Sequence, residues 1–443
     1  MYNFINDTME RQIKDLQELV RIPSVSRGKP KPNAPLGEEV RRALDFALDL
    51  ARELGFPRVW ELDGYCGIVE FGEGEECLGI MAHLDVVPEG DGWSYPPYAA
   101  QIHDGRMYGR GVVDDKGAAI SALYAMAAVM NSGKMMKRRV RLILGCDEEA
   151  GWSCMDRYKQ YEQEPTLAFT PDAEYPVVNS EMGIYQTTYT KSCNTHISCQ
   201  IGTASNVVPG EARMCFRVQP KEVEMPDGFT MDIVYNTLRV HGRGGHASMP
   251  DLAHNALQGI LFAAKAQYLD DEDRKLIEDL IELYAFDMHG QSLGIDVTDE
   301  SGRTTFVPSM LTISNGTVTI KSDCRYPFSL KHPDLQARID RKMAAKGFAR
   351  TAQKNTPCHF IPQDSELVKT LMEIFNRKVG VELEPLKIGG GTYARAFTNA
   401  VAFGTVPYNE ESPCHMPDES SALSDIRFNT EIMAEAIEKL ACN

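Results

Sequence analysis

The stretch Cys77-Leu78-Gly79-Ile80-Met81-Ala82-His83-Leu84-Asp85 runs an apolar segment straight into a His-x-Asp. A short apolar run of this kind predicts a strand buried on both faces, at the centre of a sheet. Further on, Tyr108-Gly109-Arg110-Gly111-Val112-Val113-Asp114-Asp115-Lys116-Gly117 is a glycine-rich turn that delivers two adjacent carboxylates. The Ala- and Met-rich segment 117–130 then predicts a helix, ended near Gly133.

The pattern extends in both directions. Towards the N-terminus, 7–21 places Ile13, Leu16, Leu19 and Val20 on one helical face, and Pro23 stops the helix. A second amphipathic helix is expected over 38–54. Strands are expected at 59–62 and 67–71, and a hairpin around Asp104-Gly105. Towards the C-terminus, 139–145 and 166–169 are further apolar strands. Alternating strands and helices describe an α/β layer. From Glu181 the texture changes to alternating strands (183–189, 212–218, 231–240, 310–314, 317–324) interrupted by helices at 254–269 and 273–283. After Pro362 the α/β pattern returns, with a helix over 366–378, strands over 382–388 and 400–403, a glycine triplet opening a short helix, and a closing helix over 421–441. The expected fold is therefore α/β, with a mixed central sheet flanked by helices. It is built from 1–181 and 363–443 and interrupted by an inserted α+β domain over 182–362.

At 443 residues the chain exceeds one ordinary core, which agrees with two domains. Its 43% hydrophobic and 25% charged composition is that of a soluble globular protein. A net charge of -17 argues against nucleic acid and anionic membrane as partners. The N-terminal residues show no signal peptide and no apolar run is long enough to cross a bilayer. The 11 cysteines are odd in number and include no Cys-x-x-Cys pair, so reduced thiols and a cytoplasmic location are expected.

Five polar spots fall at the ends of expected strands or in loops beyond. His83 with Asp85 is the first; in an extended strand the two side chains share a face, and a carboxylate beside a ligating histidine can orient the ring. Asp114-Asp115 is the second, and one of these acids has an alternative use as a helix cap. Asp147-Glu148-Glu149 follows the strand over 139–145 directly. These three acids could instead open a helix, where the macrodipole favours them. Asp172 and His415 complete the set, each readable alone as a turn or surface residue. Imidazoles and carboxylates gathered at the strand ends of one domain are what a two-metal hydrolytic site needs, together with a carboxylate base. Separately, Gly389-Gly390-Gly391-Thr392 before a helix would expose backbone N–H groups to an anion, such as a substrate carboxylate; the alternative is a plain turn.

The set resembles the M20 metallopeptidase family, most like its bacterial PepV-type dipeptidases (the Xaa-His dipeptidase branch). The motifs that carry the resemblance are Met81-Ala-His-Leu-Asp-Val-Val-Pro88, the turn over 109–117, Asp147-Glu-Glu-Ala-Gly-Trp152, Pro171-Asp-Ala-Glu-Tyr-Pro176, Gly244-Gly-His-Ala-Ser248, Gly389-Gly-Gly-Thr-Tyr-Ala-Arg395 and His415-Met-Pro-Asp-Glu419. The resemblance implies two divalent metal ions, Zn2+ first, with Mn2+ or Co2+ as alternatives. His83, Asp114 and Asp172 would hold one ion; Asp114, Glu149 and His415 would hold the other, with Asp114 bridging. Glu148 would be the general base and Asp85 would orient His83. A cis peptide is expected at Asp114–Asp115. The inserted domain would be a lid, with His246 stabilising the oxyanion and Asn206 and Arg325 contacting substrate alongside Gly390, Gly391 and Thr392. Cys146, Cys358 and Cys414 depart from the family pattern and suggest oxidation sensitivity or an altered metal preference.

The function implied is hydrolysis of dipeptides with a free C-terminal carboxylate, by a monomer, with a homodimer as the alternative. An N-acyl-amino-acid deacylase or a carboxypeptidase would use the same metal residues. A non-catalytic binder has no need of Glu148 beside Glu149.

Overall fold

The computed structural model describes every residue except Arg27 and Ala285. The chain divides into two units: Met1–Asn179, Ile361–Leu386 and Gly391–Asn443 form the first, and Ser180–Phe360 with Lys387–Gly390 the second.

The first unit is organised around a mixed sheet. Its parallel core runs Arg139–Gly145, Cys77–His83, Leu167–Thr170 and Ala400–Ala402, in that spatial order. Cys66–Phe71 and Arg58–Leu62 extend it antiparallel beyond Arg139–Gly145. Every residue of Cys77–His83 is buried, as its apolar run requires. Leu78, Ile80 and Ala82 face one core. Met81 faces the other, and alternation puts His83 on that same side. The first core is closed by helices Tyr2–Val20, Glu38–Glu53, Lys116–Met130, Glu366–Val379 and Leu423–Ala441. Lys116–Met130 is buried almost all round because it packs against the sheet and both terminal helices; its alanines allow that close approach. Helix Ser153–Tyr161 and the short turn Tyr393–Ala396 cover the opposite face.

The second unit is an eight-stranded antiparallel sheet in the order Thr230–Val234, Thr237–His241, Glu211–Cys215, Ser198–Ile201, Thr305–Ser314, Thr317–Tyr326, Gly183–Ser192, Ala349–Thr356. Helices Ala256–Lys265, Asp271–Tyr284 and His332–Ala345 contribute to its core with one face of the sheet, including Tyr185, Tyr189, Leu238 and Val240. Asn315 and Gly316, both at positive φ, make the expected two-residue hairpin turn.

Several expectations change. The single strand over 231–240 is two strands, turned at Tyr235-Asn236, where Tyr235 adopts φ 55° without a glycine to announce it. The strand over 382–388 shrinks to Leu386–Ile388, after Pro385, which has no N–H to donate. Helices Ser153–Tyr161 and His332–Ala345 and strands Ser198–Ile201 and Ala349–Thr356 were not anticipated from sequence periodicity. Among the described residues, no helix is long and apolar enough to cross a membrane.

Candidate metal and catalytic site

The parallel strands end together. His83 stands opposite Gly145 in register, and the loops after Gly145 and Thr170 begin beside it. Polar groups at these carboxyl ends therefore converge, the usual place for a site in an open α/β sheet.

His83 is fully buried, and its Nε2 lies 3.0 Å from Asp114 Oδ1 and 3.7 Å from Asp172 Oδ2. His415 Nε2 lies 3.1 Å from Asp114 Oδ2 and 3.0 Å from Glu149 Oε1. Asp114 thus turns one oxygen to each imidazole. Among the described residues, His83, Asp114 and Asp172 form one group able to hold a metal ion, and Asp114, Glu149 and His415 form another, with the candidate ligand atoms of each group within 4.8 Å of one another. Two imidazoles and three carboxylates, one shared, form a donor set that suits two borderline divalent cations.

The electrostatics favour a bound positive charge. Burial pushes Asp172 up to about 7, and the charge of Asp114 adds to it. Burial likewise drives Glu148 well above the usual carboxylate range, helped by Asp172. Burial would raise Asp114 too, but hydrogen bonds from His415 and His83 outweigh it and hold that carboxyl low. His415 rises to about 10 through its bonds to Asp114 and Glu149. Burial opposes protonation of His83, yet Asp114 and Asp85 keep it well above its ordinary value. The carboxylates thus favour a positive charge at both imidazoles.

That preference predicts a linkage. An imidazole must lose its proton at the ligating nitrogen to bind a metal. Below pH 10 an ion entering beside His415 displaces a proton, so divalent affinity rises with pH up to that point. Calorimetric titration of the metal-free protein with Zn2+ or Mn2+, in buffers of different ionisation heat, should show net proton release. Heats independent of buffer, with a pH-independent affinity, would sink this account.

Asp85 stands against the His83 ring, but by a different route from strand periodicity. The strand ends at His83, so period-two alternation does not carry to residue 85. The His83 ring Nδ1 lies 2.8 Å from the backbone carbonyl of Asp85, while the carboxylate Oδ1 stands at 3.6 Å. The carboxylate instead accepts the backbone N–H groups of Glu148 (3.1 Å) and Glu149 (3.2 Å) and the Ser26 hydroxyl (2.7 Å). Asp85 therefore steers His83 first through its main chain, with its carboxylate adding charge at 3.6 Å, and fixes the Glu148–Glu149 loop through that same carboxylate.

The three acids of that loop divide their work. Asp147 accepts from the backbone N–H of Ser153 (3.0 Å) and from its hydroxyl (2.5 Å), anchoring the start of Ser153–Tyr161. Glu149 meets His415. Among the described residues no hydrogen-bond donor engages the Glu148 carboxylate. Gly145, just before the loop, has no room for a side chain: a Cβ there would stand 2.2 Å from the Tyr393 hydroxyl oxygen. Tyr393 also packs edge-on against His83, with centroids 6.0 Å apart.

Asp115 occupies the N-cap position of Lys116–Met130, but its side chain does not cap. Its Oδ2 accepts the backbone N–H of His83 at 3.0 Å. The peptide Asp114–Asp115 is cis. Glu419, which the sequence shows only as the end of the His415–Glu419 motif, has a role there that no local pattern gives. It is fully buried and accepts from Arg110 (2.6 Å), Gly111 N–H (3.1 Å), Val113 N–H (2.9 Å) and Asp114 N–H (3.1 Å). The available signal was Arg110 itself, a cation between two glycines of a buried turn, which demands a counter-charge.

The second unit gathers its own candidates. Val207 pairs with His246, and Ala247 N–H donates to the Asn206 carbonyl at 2.9 Å. Arg325 is buried, with Nε 2.6 Å from Asp323 Oδ1 and Nη1 donating to the Gly389 carbonyl. The glycine triplet opens only a short helix, as expected. Only the four-residue 3-10 turn Tyr393–Ala396 follows, and the Thr392 hydroxyl caps it by accepting from Ala394 N–H at 3.1 Å. The helix-dipole basis for an anion site at Gly390, Gly391 and Thr392 therefore fails, because a single short turn sums too few peptide dipoles. Cys146 is fully buried, Cys414 partly so, and burial pushes both thiols up. Cys358 Sγ accepts from Gly183 N–H at 3.0 Å.

Comparison with known proteins identifies relatives along nearly the whole chain. The model of peptidase family M20/M25/M40 matches residues 79–439. YtjP of Bacillus subtilis (strain 168), provisionally named as a dipeptidase, is 33% identical, over 98% of this chain and 97% of its own. The beta-Ala-Xaa dipeptidase of Lactobacillus delbrueckii subsp. lactis is 30% identical, over 97% and 95%. The solved structure of aminoacylhistidine dipeptidase from Vibrio alginolyticus superposes with a TM-score of 0.60 at 13% identity, covering 97% of each chain, a likeness of fold.

Proposed function

Because the chain belongs to peptidase family M20/M25/M40, we propose that it is a binuclear metal-dependent dipeptidase of the PepV-type branch, cleaving dipeptides that carry a free C-terminal carboxylate. The observation that carries this is Asp114, whose two oxygens face different histidines at 3.0 and 3.1 Å. His83, Asp114 and Asp172 would hold one ion and Asp114, Glu149 and His415 the other, Zn2+ by the donor set, with Mn2+ or Co2+ as alternatives. When bound, such ions supply electrophilic polarisation of the scissile carbonyl and acidify water.

The chain's own residues do the rest. Glu148 takes the proton of the attacking water on its free carboxylate and passes it to the leaving amine. Asp85 keeps Glu148 in place through the backbone N–H at 3.1 Å. His246 donates to the developing oxyanion. Arg325, preset by Asp323, holds the substrate carboxylate with the N–H groups that Asp323 and Gly389 leave open, while Asn206, Gly390, Gly391 and Thr392 line the substrate. The enzyme acts in the cytoplasm on small peptides, as a monomer; that its eleven cysteines form no disulfide supports the location.

A panel of dipeptides, tripeptides and N-acetyl amino acids tests the substrate class. Dipeptides should be cleaved, with tripeptides and N-acetyl amino acids left intact. Preferential release of acetate from N-acetyl amino acids, or trimming of longer peptides from the C-terminus, would instead select the deacylase or carboxypeptidase alternative.

A further inference from the structure

In the second unit, the ring of His246 is met at Nδ1 by two groups of one residue. The Ser248 hydroxyl oxygen lies 2.6 Å away, and the Ser248 backbone N–H donates at 3.3 Å. A backbone amide has only a proton to offer, so Nδ1 must be an acceptor. The neutral ring then carries its hydrogen on Nε2.

Ser248 is itself held in place. A Cβ on Gly389 would lie 2.4 Å from Ser248 Cβ and 3.2 Å from its Oγ, so a larger residue at 389 would push the hydroxyl away. The Gly389 carbonyl is tied by Arg325 Nη1, and Arg325 Nε and Nη2 are gripped by Asp323 at 2.6 and 3.2 Å. Burial, and then the Arg325 charge, hold the His246 ring below its ordinary pKa, so both oppose a second ring proton.

We infer that Ser248 is a positioning residue that locks His246 as the neutral Nε2–H tautomer, so that the ring presents a donor rather than a lone pair to an oxyanion. The catalytic purpose of the lock rests on His246 acting as proposed above. Metal-loaded full-length protein with 15N-labelled histidine provides the test, in wild type, Ser248→Ala, Ser248→Thr, Gly389→Ala and His246→Ala. Wild type should show well-separated His246 ring-nitrogen shifts of one Nε2–H form. Ser248→Ala and Gly389→Ala keep the backbone N–H at 3.3 Å but remove or displace the hydroxyl at 2.6 Å, so they should draw those shifts part of the way together. They should also lower kcat roughly three- to tenfold, the worth of one neutral hydrogen bond, with KM unchanged. Ser248→Thr should restore both. An Nδ1–H signature in wild type, or Ser248→Ala with shifts and kcat unchanged, overturns the lock. Full kcat in His246→Ala overturns the oxyanion role instead, and the tautomer shifts tell that failure apart from loss of the lock.

Discussion

Glu148→Gln is expected to lower kcat by roughly 10²- to 10⁴-fold, the usual worth of a general base, while two metal equivalents stay bound. The change is nearly isosteric. It leaves the backbone N–H of Glu148 on Asp85, and it leaves Glu149 on His415. Nothing that positions the ligands is therefore lost. What disappears is an acceptor for a proton, since an amide cannot take one at neutral pH. The neighbouring acids cannot substitute: Asp147 is committed to Ser153, and Glu149 to His415. Burial and the charge of Asp172 raise Glu148 out of the usual carboxylate range, which makes it a better acceptor for the water proton and lets it hold that proton near neutral pH until the more basic leaving amine takes it. Metal content by mass spectrometry and kcat on one dipeptide decide the matter. Near-normal turnover would remove Glu148 from the role, and lost metal would recast it as a ligand.

The positions of the candidate ligands were legible because an apolar strand that runs directly into acids has few inexpensive explanations. His83 after Cys77–His83, Asp147-Glu148-Glu149 after Arg139–Gly145 and Asp172 after Leu167–Thr170 all carry that signature. Side-chain partners were less legible, because they depend on how loops close in space. Asp85 does meet the His83 ring, but the strand stops two residues short, so the short contact is its carbonyl at 2.8 Å, while its carboxylate stands at 3.6 Å and also serves another loop. Ser248 and Gly389 are far apart in sequence, and no local pattern links them. The turn at Tyr235-Asn236 was hidden for a different reason: its positive φ is imposed by the pairing of Thr230–Val234 with Thr237–His241, without a glycine to mark it.

Removing Glu419 should produce the largest loss of stability among single changes near the site. Arg110 is 1% exposed and Glu419 0%, so their ion pair at 2.6 Å is sealed from water. Deleting one partner of such a pair costs about 3–5 kcal/mol, because the other is left buried and unpaired. Here the cost is compounded, since the same carboxylate also serves the backbone N–H groups of Gly111, Val113 and Asp114. Those amides belong to the turn that presents Asp114, and Glu419 lies four residues beyond His415. One carboxylate thus ties together the two loops that reach the shared oxygen pair. Glu419→Ala should destabilise the metal-free protein by that amount in urea, and lower divalent affinity roughly 10- to 100-fold, as expected for a group that orients a ligand. The double change Arg110→Met with Glu419→Leu separates the two effects. Replacing a buried ion pair with apolar residues of similar size is often neutral or stabilising, so stability should recover in large part. Metal affinity should not, because the three amides still lack their acceptor. If the double variant regains wild-type affinity, Glu419 is only a charge partner for Arg110. If Glu419→Ala binds metal as tightly as wild type, the loop that carries Asp114 holds its shape without this carboxylate, and the coupling between the two ligand loops is not real.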